Sequence, residues 1–150
     1  MANLCAPVTV VTAMDRQRPH GTTVSAVMSL SLEPMLVAVA LANTSDCCHL
    51  IQRTKRFGVN VLATGQHEVA LQLARKGPEK FDGVRWTVSD GLPQLERTAV
   101  WVACDAVDVV DAGDHRLIVG RVSAVGTDSD AGPLTYHRRR FGTHVRDDRI

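Results

Sequence analysis

Thr22-Thr23-Val24-Ser25-Ala26-Val27-Met28-Ser29-Leu30-Ser31-Leu32 is the stretch on which the architecture turns. Its even positions Val24, Ala26, Met28, Leu30 and Leu32 are apolar, while Thr23, Ser25, Ser29 and Ser31 carry hydroxyls, with Val27 as the exception. Side chains of an extended chain alternate between two faces, so this pattern predicts one half-buried strand with a hydroxyl-lined face. Glu33-Pro34 closes it, because proline offers no ladder donor. Met35 to Ala42 follows as an unbroken apolar run, the pattern of a strand buried on both sides.

Working outward, Val8-Thr9-Val10-Val11-Thr12-Ala13 is short and β-branched and leads into the polar run Asp15 to Gly21, so it reads as a strand entering a turn. Asn43-Thr44-Ser45-Asp46 supplies N-caps for a short helix through Cys48, Leu50 and Ile51, ending near Arg53, Lys55 and Arg56. Phe57 to Leu62 is another strand. Val69, Ala70, Leu73 and Ala74 form one apolar stripe in a second helix over Gln66–Lys76, which Gly77-Pro78 stops. Two long strands, Ala99–Val110 and Leu117–Val125, are joined by a reversing turn at Asp111-Ala112-Gly113-Asp114-His115. The polar tail from Arg138 is expected to fray. Strands that follow one another without alternating helices predict a mainly β fold, an antiparallel sheet closed toward a barrel, with two short helices.

The chain has 150 residues, 45% hydrophobic and 22% charged, which fits a single domain over residues 1–150. With 17 basic and 16 acidic side chains the balance is +1, far from the excess that binding through phosphate neutralisation needs, so no nucleic-acid partner is expected. His137 to Arg140 reads as a solvated edge. The longest apolar run, Met35 to Ala42, is too short for a membrane span, and no basic stretch precedes an apolar one at the N-terminus; the expectation is a cytoplasmic protein with no membrane partner. Cys5, Cys47, Cys48 and Cys104 lack disulfide-scaffold spacing, and no second cluster completes a metal site around Cys47-Cys48-His49, so reduced thiols and no metal are expected.

No dinucleotide-binding glycine fingerprint, phosphate loop, nucleophile elbow or H-E-x-x-H occurs in the chain. The hydroxyl row allows two readings, the wet outer face of a sheet or a set of donors for a flat polar ring or a phosphate. Asn43-Thr44-Ser45 has the same duality of helix cap and anion site. Arg75 and Lys76 either complement a helix dipole or neutralise a phosphate.

The segments Pro19 to Ala26 with Ser29-Leu30-Ser31-Leu32-Glu33-Pro34, Phe57 to Leu62, Lys80-Phe81-Asp82-Gly83, Gly113-Asp114-His115 and Tyr136 to Gly142 resemble the flavin reductase family, in that family's order and across nearly the whole chain. The resemblance implies an FMN-binding split β-barrel, a homodimer, and an enzyme that uses NADH or NADPH to supply reduced FMN or FAD to a separate flavin-dependent monooxygenase component, as in aromatic catabolism or polyketide tailoring. A flavin-binding protein on the same fold without reductase turnover is the alternative. Carried onto this chain, flavin ring and ribityl contacts fall on Thr22, Thr23, Val24, Ser25 and Ser29. Phosphate contacts fall on Asn43, Thr44 and Ser45 with Arg75 and Lys76 nearby. Asp114 and His115 border the nicotinamide, with His115 as the catalytic residue, and Tyr136, Arg139 and Phe141 belong to a C-terminal segment on that side. His20, His49, His67 and His144 are read as structural. The chain departs from the family pattern in having only Met1 to Pro7 before the first strand, in Val24-Ser25-Ala26 and in Pro34-Met35.

Overall fold

The computed structural model describes residues 3–147. Seven strands form the main antiparallel sheet: β2 (Thr9–Asp15), β3 (Arg18–Val24), β4 (Val27–Leu32), β5 (Met35–Ala42), β6 (Arg56–Val61), β9 (Val100–Ala112) and β10 (His115–Thr127). Across the sheet they run β3-β2-β6-β9-β10-β5-β4. Sequence neighbours β3 and β4 therefore stand at opposite edges, joined only by Ser25 and Ala26. Three Cα steps span at most about 11 Å, so the edges must come close and the sheet must roll. Among the described residues no ladder joins β3 to β4, which leaves the barrel split.

This corrects the single strand expected over Thr22–Leu32. The break at Ser25-Ala26 resets the alternation: Val27 packs toward the core, while Met28 is half exposed. A register shift between Ser29 and Ser31 displaces the pattern again. β5 also differs from a strand buried throughout, since Ala38, Val39 and Leu41 are buried but Met35 is exposed beside the edge strand.

Inside the roll, Val11, Val39, Phe57, Cys104 and Ile118 pack against Cys47, Cys48, Leu50 and Ile51 of α1 (Asp46–Thr54). The adjacent thiols are thus packing residues at a helix start. Gly120 gives the Phe57 ring its place, because a Cβ there would collide with that ring. On the outer face of β2 and β6, α2 (His67–Ala74) buries Ala70 and Leu73 with Val8, Val10, Leu62 and Leu95. A hairpin of β7 (Trp86–Ser89) and β8 (Leu92–Leu95) lies beside α2 and follows a 3₁₀ turn over Pro78–Phe81. Its mooring is polar: buried Asn60 donates to Val10 O and accepts from Leu95 N at 2.8 Å, while Thr12 Oγ1 donates to Pro93 O at 2.7 Å.

The remaining sheet joins β1 (Ala6–Pro7), β11 (Leu134–His137) and β12 (Arg140–Thr143). Residues 138–143 therefore form a turn and strand where the sequence predicted a frayed tail, while residues 144–147 carry no regular structure. Arg138 and Arg139 adopt positive φ at the tip, the two-residue turn that lets a hairpin follow the strand twist. Among the described residues no helix is long and apolar enough to cross a membrane.

Candidate functional site

A cleft of about 600 Å³ opens between the start of β3, the entrance of α1 and the segment after α2. Gly21 and Thr22 form one wall, Thr44, Ser45 and Asp46 a second, and Arg75, Lys76, Lys80 and Phe81 a third. Ser45 is extended at the N-cap of α1 and its Oγ accepts from Cys48 N at 3.4 Å, so the positive end of the helix faces the cleft. Arg18, Arg75, Lys76 and Lys80 line the cleft against Asp46 as the lining acid. Such a surplus of positive charge at a helix N-terminus favours an anionic group.

In the sequence Lys80 stands only within the Lys80-Phe81-Asp82-Gly83 motif; the fold carries it back to β3, where Nζ donates to Gly21 O at 3.1 Å. Burial lowers its pKa from the ordinary lysine value. Phe81 lies against Gly21, where a Cβ would stand 3.1 Å from the ring. His20, read as structural, also lines the cleft; burial first, then Arg18, lowers its pKa and favours the neutral imidazole. Arg18 lies outside the motifs, and within them nothing marks His20 or Lys80 as cleft residues, because only the curl of β3 against the 3₁₀ turn assembles them.

Next to this cleft stands the turn between β9 and β10. Gly113 takes φ +65°, a conformation open to glycine, and reverses the chain before Asp114 and His115. His115 Nδ1 lies 2.7 Å from Asp114 Oδ1. The hydrogen bond from His115 holds the Asp114 carboxyl below the ordinary carboxylate range. His115 pairs with Ala42, and Ala42 lines the cleft, so the imidazole stands one strand from the wall. Asn43 fixes this neighbourhood: its N–H donates to Asp114 O at 2.9 Å and its Nδ2 to Gly113 O at 3.2 Å.

The cleft thus gathers Thr22, Thr44, Ser45, Arg75 and Lys76 of the residues singled out in the sequence. Asn43, expected among the phosphate contacts, instead holds the Gly113-Asp114 turn. Thr23 is tied by its hydroxyl to Ala70 O at 2.7 Å, and Val24 packs on the barrel core. Ser25 is exposed in the crossover and Ser29 on β4 at the other sheet edge. Tyr136 and Phe141 touch each other with ring centroids 5.2 Å apart, and Phe141 lies 6.2 Å from His67 at the start of α2. Arg139 is at the tip of that hairpin. The cleft meets the far end of α2, so a helix length of about 12 Å separates these residues from it.

Fold and cleft together define a split antiparallel barrel with a cationic mouth. The chain belongs to the family described as the flavin reductase like domain, whose model matches residues 1–144. It is 40% identical over 147 residues to an NADH:riboflavin 5'-phosphate oxidoreductase of Streptomyces pristinaespiralis, covering 95% of this chain and 84% of that protein. It is 34% identical over 142 residues to the flavin-dependent monooxygenase reductase subunit HsaB of Rhodococcus jostii, covering 94% of this chain and 73% of that one. Among solved structures, the flavin reductase PheA2 superposes with a TM-score of 0.89 at 28% identity, covering 97% of this chain and 94% of that chain.

Proposed function

We propose that the protein is an NAD(P)H:flavin oxidoreductase that hands reduced FMN or FAD to a partner monooxygenase. The observation that carries this reading is the cationic cleft at the entrance of α1 with the Asp114-His115 turn one strand away. The cleft fits a phosphorylated flavin. Its volume of about 600 Å³ lies in the range of small-molecule sites, and its charged end suits a phosphate. Thr44, Ser45, Arg75 and Lys76 would hold that phosphate, with Lys80 adding a further positive charge. Thr22 and the backbone of Thr23, Val24 and Ser25 would meet the ring edge, since β3 is an edge strand with backbone groups outside the ladder. Ser29 stands across the seam, on β4.

When bound, the flavin supplies the hydride acceptor, with NADH or NADPH as donor. The chain needs no nucleophile for this task; it holds the two flat ring systems in register and limits water between them. His115, oriented by Asp114, positions the nicotinamide and is the residue on which hydride transfer depends. Tyr136, Arg139 and Phe141 border the nicotinamide side only if a second subunit brings them there.

The outer face of the sheet supports a homodimer. The ladders align Met28 with Ala38 and Val119, and Ala40 with Leu117 and Val110, on the side opposite Val39 and Ile118. Met28 is 49% and Val110 46% exposed, so an apolar sheet face stands open to a second copy. The location that suits free thiols and a soluble oxygenase partner is the cytoplasm.

The decisive experiment follows NADH and NADPH absorbance with FMN, FAD and riboflavin. Nicotinamide oxidation that requires added flavin is expected. Flavin binding with nicotinamide loss no faster than free flavin gives would overturn the assignment. Sedimentation should give twice the chain mass, and Leu117→Arg should halve it.

A further inference from the structure

We infer that Asn43 is a positioning residue for hydride transfer, holding the turn that carries His115 rather than binding the flavin phosphate; this rests on the reductase reading. Two bonds from this one residue reach consecutive carbonyls of the turn, N–H to Asp114 O at 2.9 Å and Nδ2 to Gly113 O at 3.2 Å. The Gly113 carbonyl belongs to the residue whose positive φ reverses the chain, so the carboxamide acts at the point where the turn is made. Asp114, held through its own carbonyl, contacts His115 Nδ1 at 2.7 Å. The imidazole is therefore placed by a short series of contacts that begins at Asn43.

The other end of the carboxamide makes no bond among the described residues that competes with the turn. Asn43 Oδ1 is buried and has no hydrogen-bond partner among the described residues. An unpaired buried acceptor is unfavourable, and the side chain nevertheless keeps its donor on Gly113 O. Thr44, the next residue, lines the cleft. One short segment thus connects the anion-binding mouth to the hydride-side turn, and the carboxamide serves the second of these.

Two substitutions separate donor from packing. Asn43→Asp keeps the side-chain size but faces Gly113 O with an oxygen, and Asn43→Ala removes the group. Both should lower kcat/KM for NADH by about tenfold or more, because misplacing a group that orients a reactant costs rate, while flavin Kd from fluorescence quenching stays within about twofold. Hydrogen exchange without flavin or nicotinamide should be at least about tenfold faster at residues 112–116 in both variants, with exchange in α1 unchanged. Unchanged exchange in the turn refutes the inference. So does a loss of flavin affinity that matches the fall in kcat/KM, which would return Asn43 to the phosphate site. If the unsubstituted protein shows no flavin-dependent nicotinamide oxidation, the reductase reading and the positioning role of Asn43 both fail; the exchange result then tests the clamp on the turn alone.

Discussion

Replacing Asn60 with alanine should cut the mooring between the barrel and the β7–β8 hairpin. Asn60 is fully buried, donates to Val10 O and Thr12 Oγ1 at 3.2 Å each, and accepts from Leu95 N at 2.8 Å. Truncation leaves the Leu95 N–H of a residue 2% exposed without that partner. One stranded donor at about 1–3 kcal/mol and two lost bonds at about 1 kcal/mol each give a destabilisation of about 3–5 kcal/mol. For a chain of this size each kcal/mol lowers Tm by about 2–4 °C, so Tm should fall by about 6–20 °C. Thermal melting and urea titration, followed by circular dichroism, measure both quantities. Asn60→Leu restores volume but no hydrogen bond, and it should melt about as low as the alanine variant. A fall in Tm below about 3 °C for Asn60→Ala would refute the reasoning, as would recovery in Asn60→Leu.

Other substitutions probe the cleft and the thiols. His115→Ala should slow nicotinamide oxidation by about 10–100-fold while flavin Kd stays within about twofold; equal activity removes His115 from the site. The double change Arg75→Ala with Lys76→Ala should weaken FMN about tenfold or more and flatten its salt dependence, yet leave riboflavin binding unchanged, as titration at two ionic strengths will register. Burial pushes Cys47 and Cys104 up to about 12 and raises Cys48 above the ordinary thiol range. A raised pKa keeps a thiol protonated at pH 8, so iodoacetamide should label exposed Cys5 first and those three only on unfolding. Mass spectrometry showing Cys47 or Cys104 alkylated as fast as Cys5 would contradict this burial.

Local signals made much of this fold readable. The β-branched run Val8–Ala13, the caps Asn43 to Asp46 and the apolar stripe of Val69, Ala70, Leu73 and Ala74 each lie within one element, and β2, α1 and α2 form where they predict. The β7–β8 hairpin was not legible, because Trp86–Ser89 and Leu92–Leu95 are short and draw their stability from Asn60 and Thr12 in distant strands. β12 escaped for another reason: its two-residue turn puts Arg138 and Arg139, with no glycine or asparagine, at positive φ, and its distant tie is Thr64 Oγ1, which donates to Thr143 Oγ1 at 2.8 Å.

The sequence by itself determined the strand-rich class, the two helices, and which residues carry hydroxyls and positive charges, because periodicity, caps and composition are properties of neighbours along the chain. Tertiary structure alone decided that Ser25-Ala26 crosses from one sheet edge to the other, and that Arg18, His20 and Lys80 join Thr22, Thr44 and Arg75 around one cleft. It also decided that Asn43 serves the His115 turn. Those outcomes depend on how the sheet closes and on contacts between residues as far apart as Gly21 and Lys80, which no local pattern encodes.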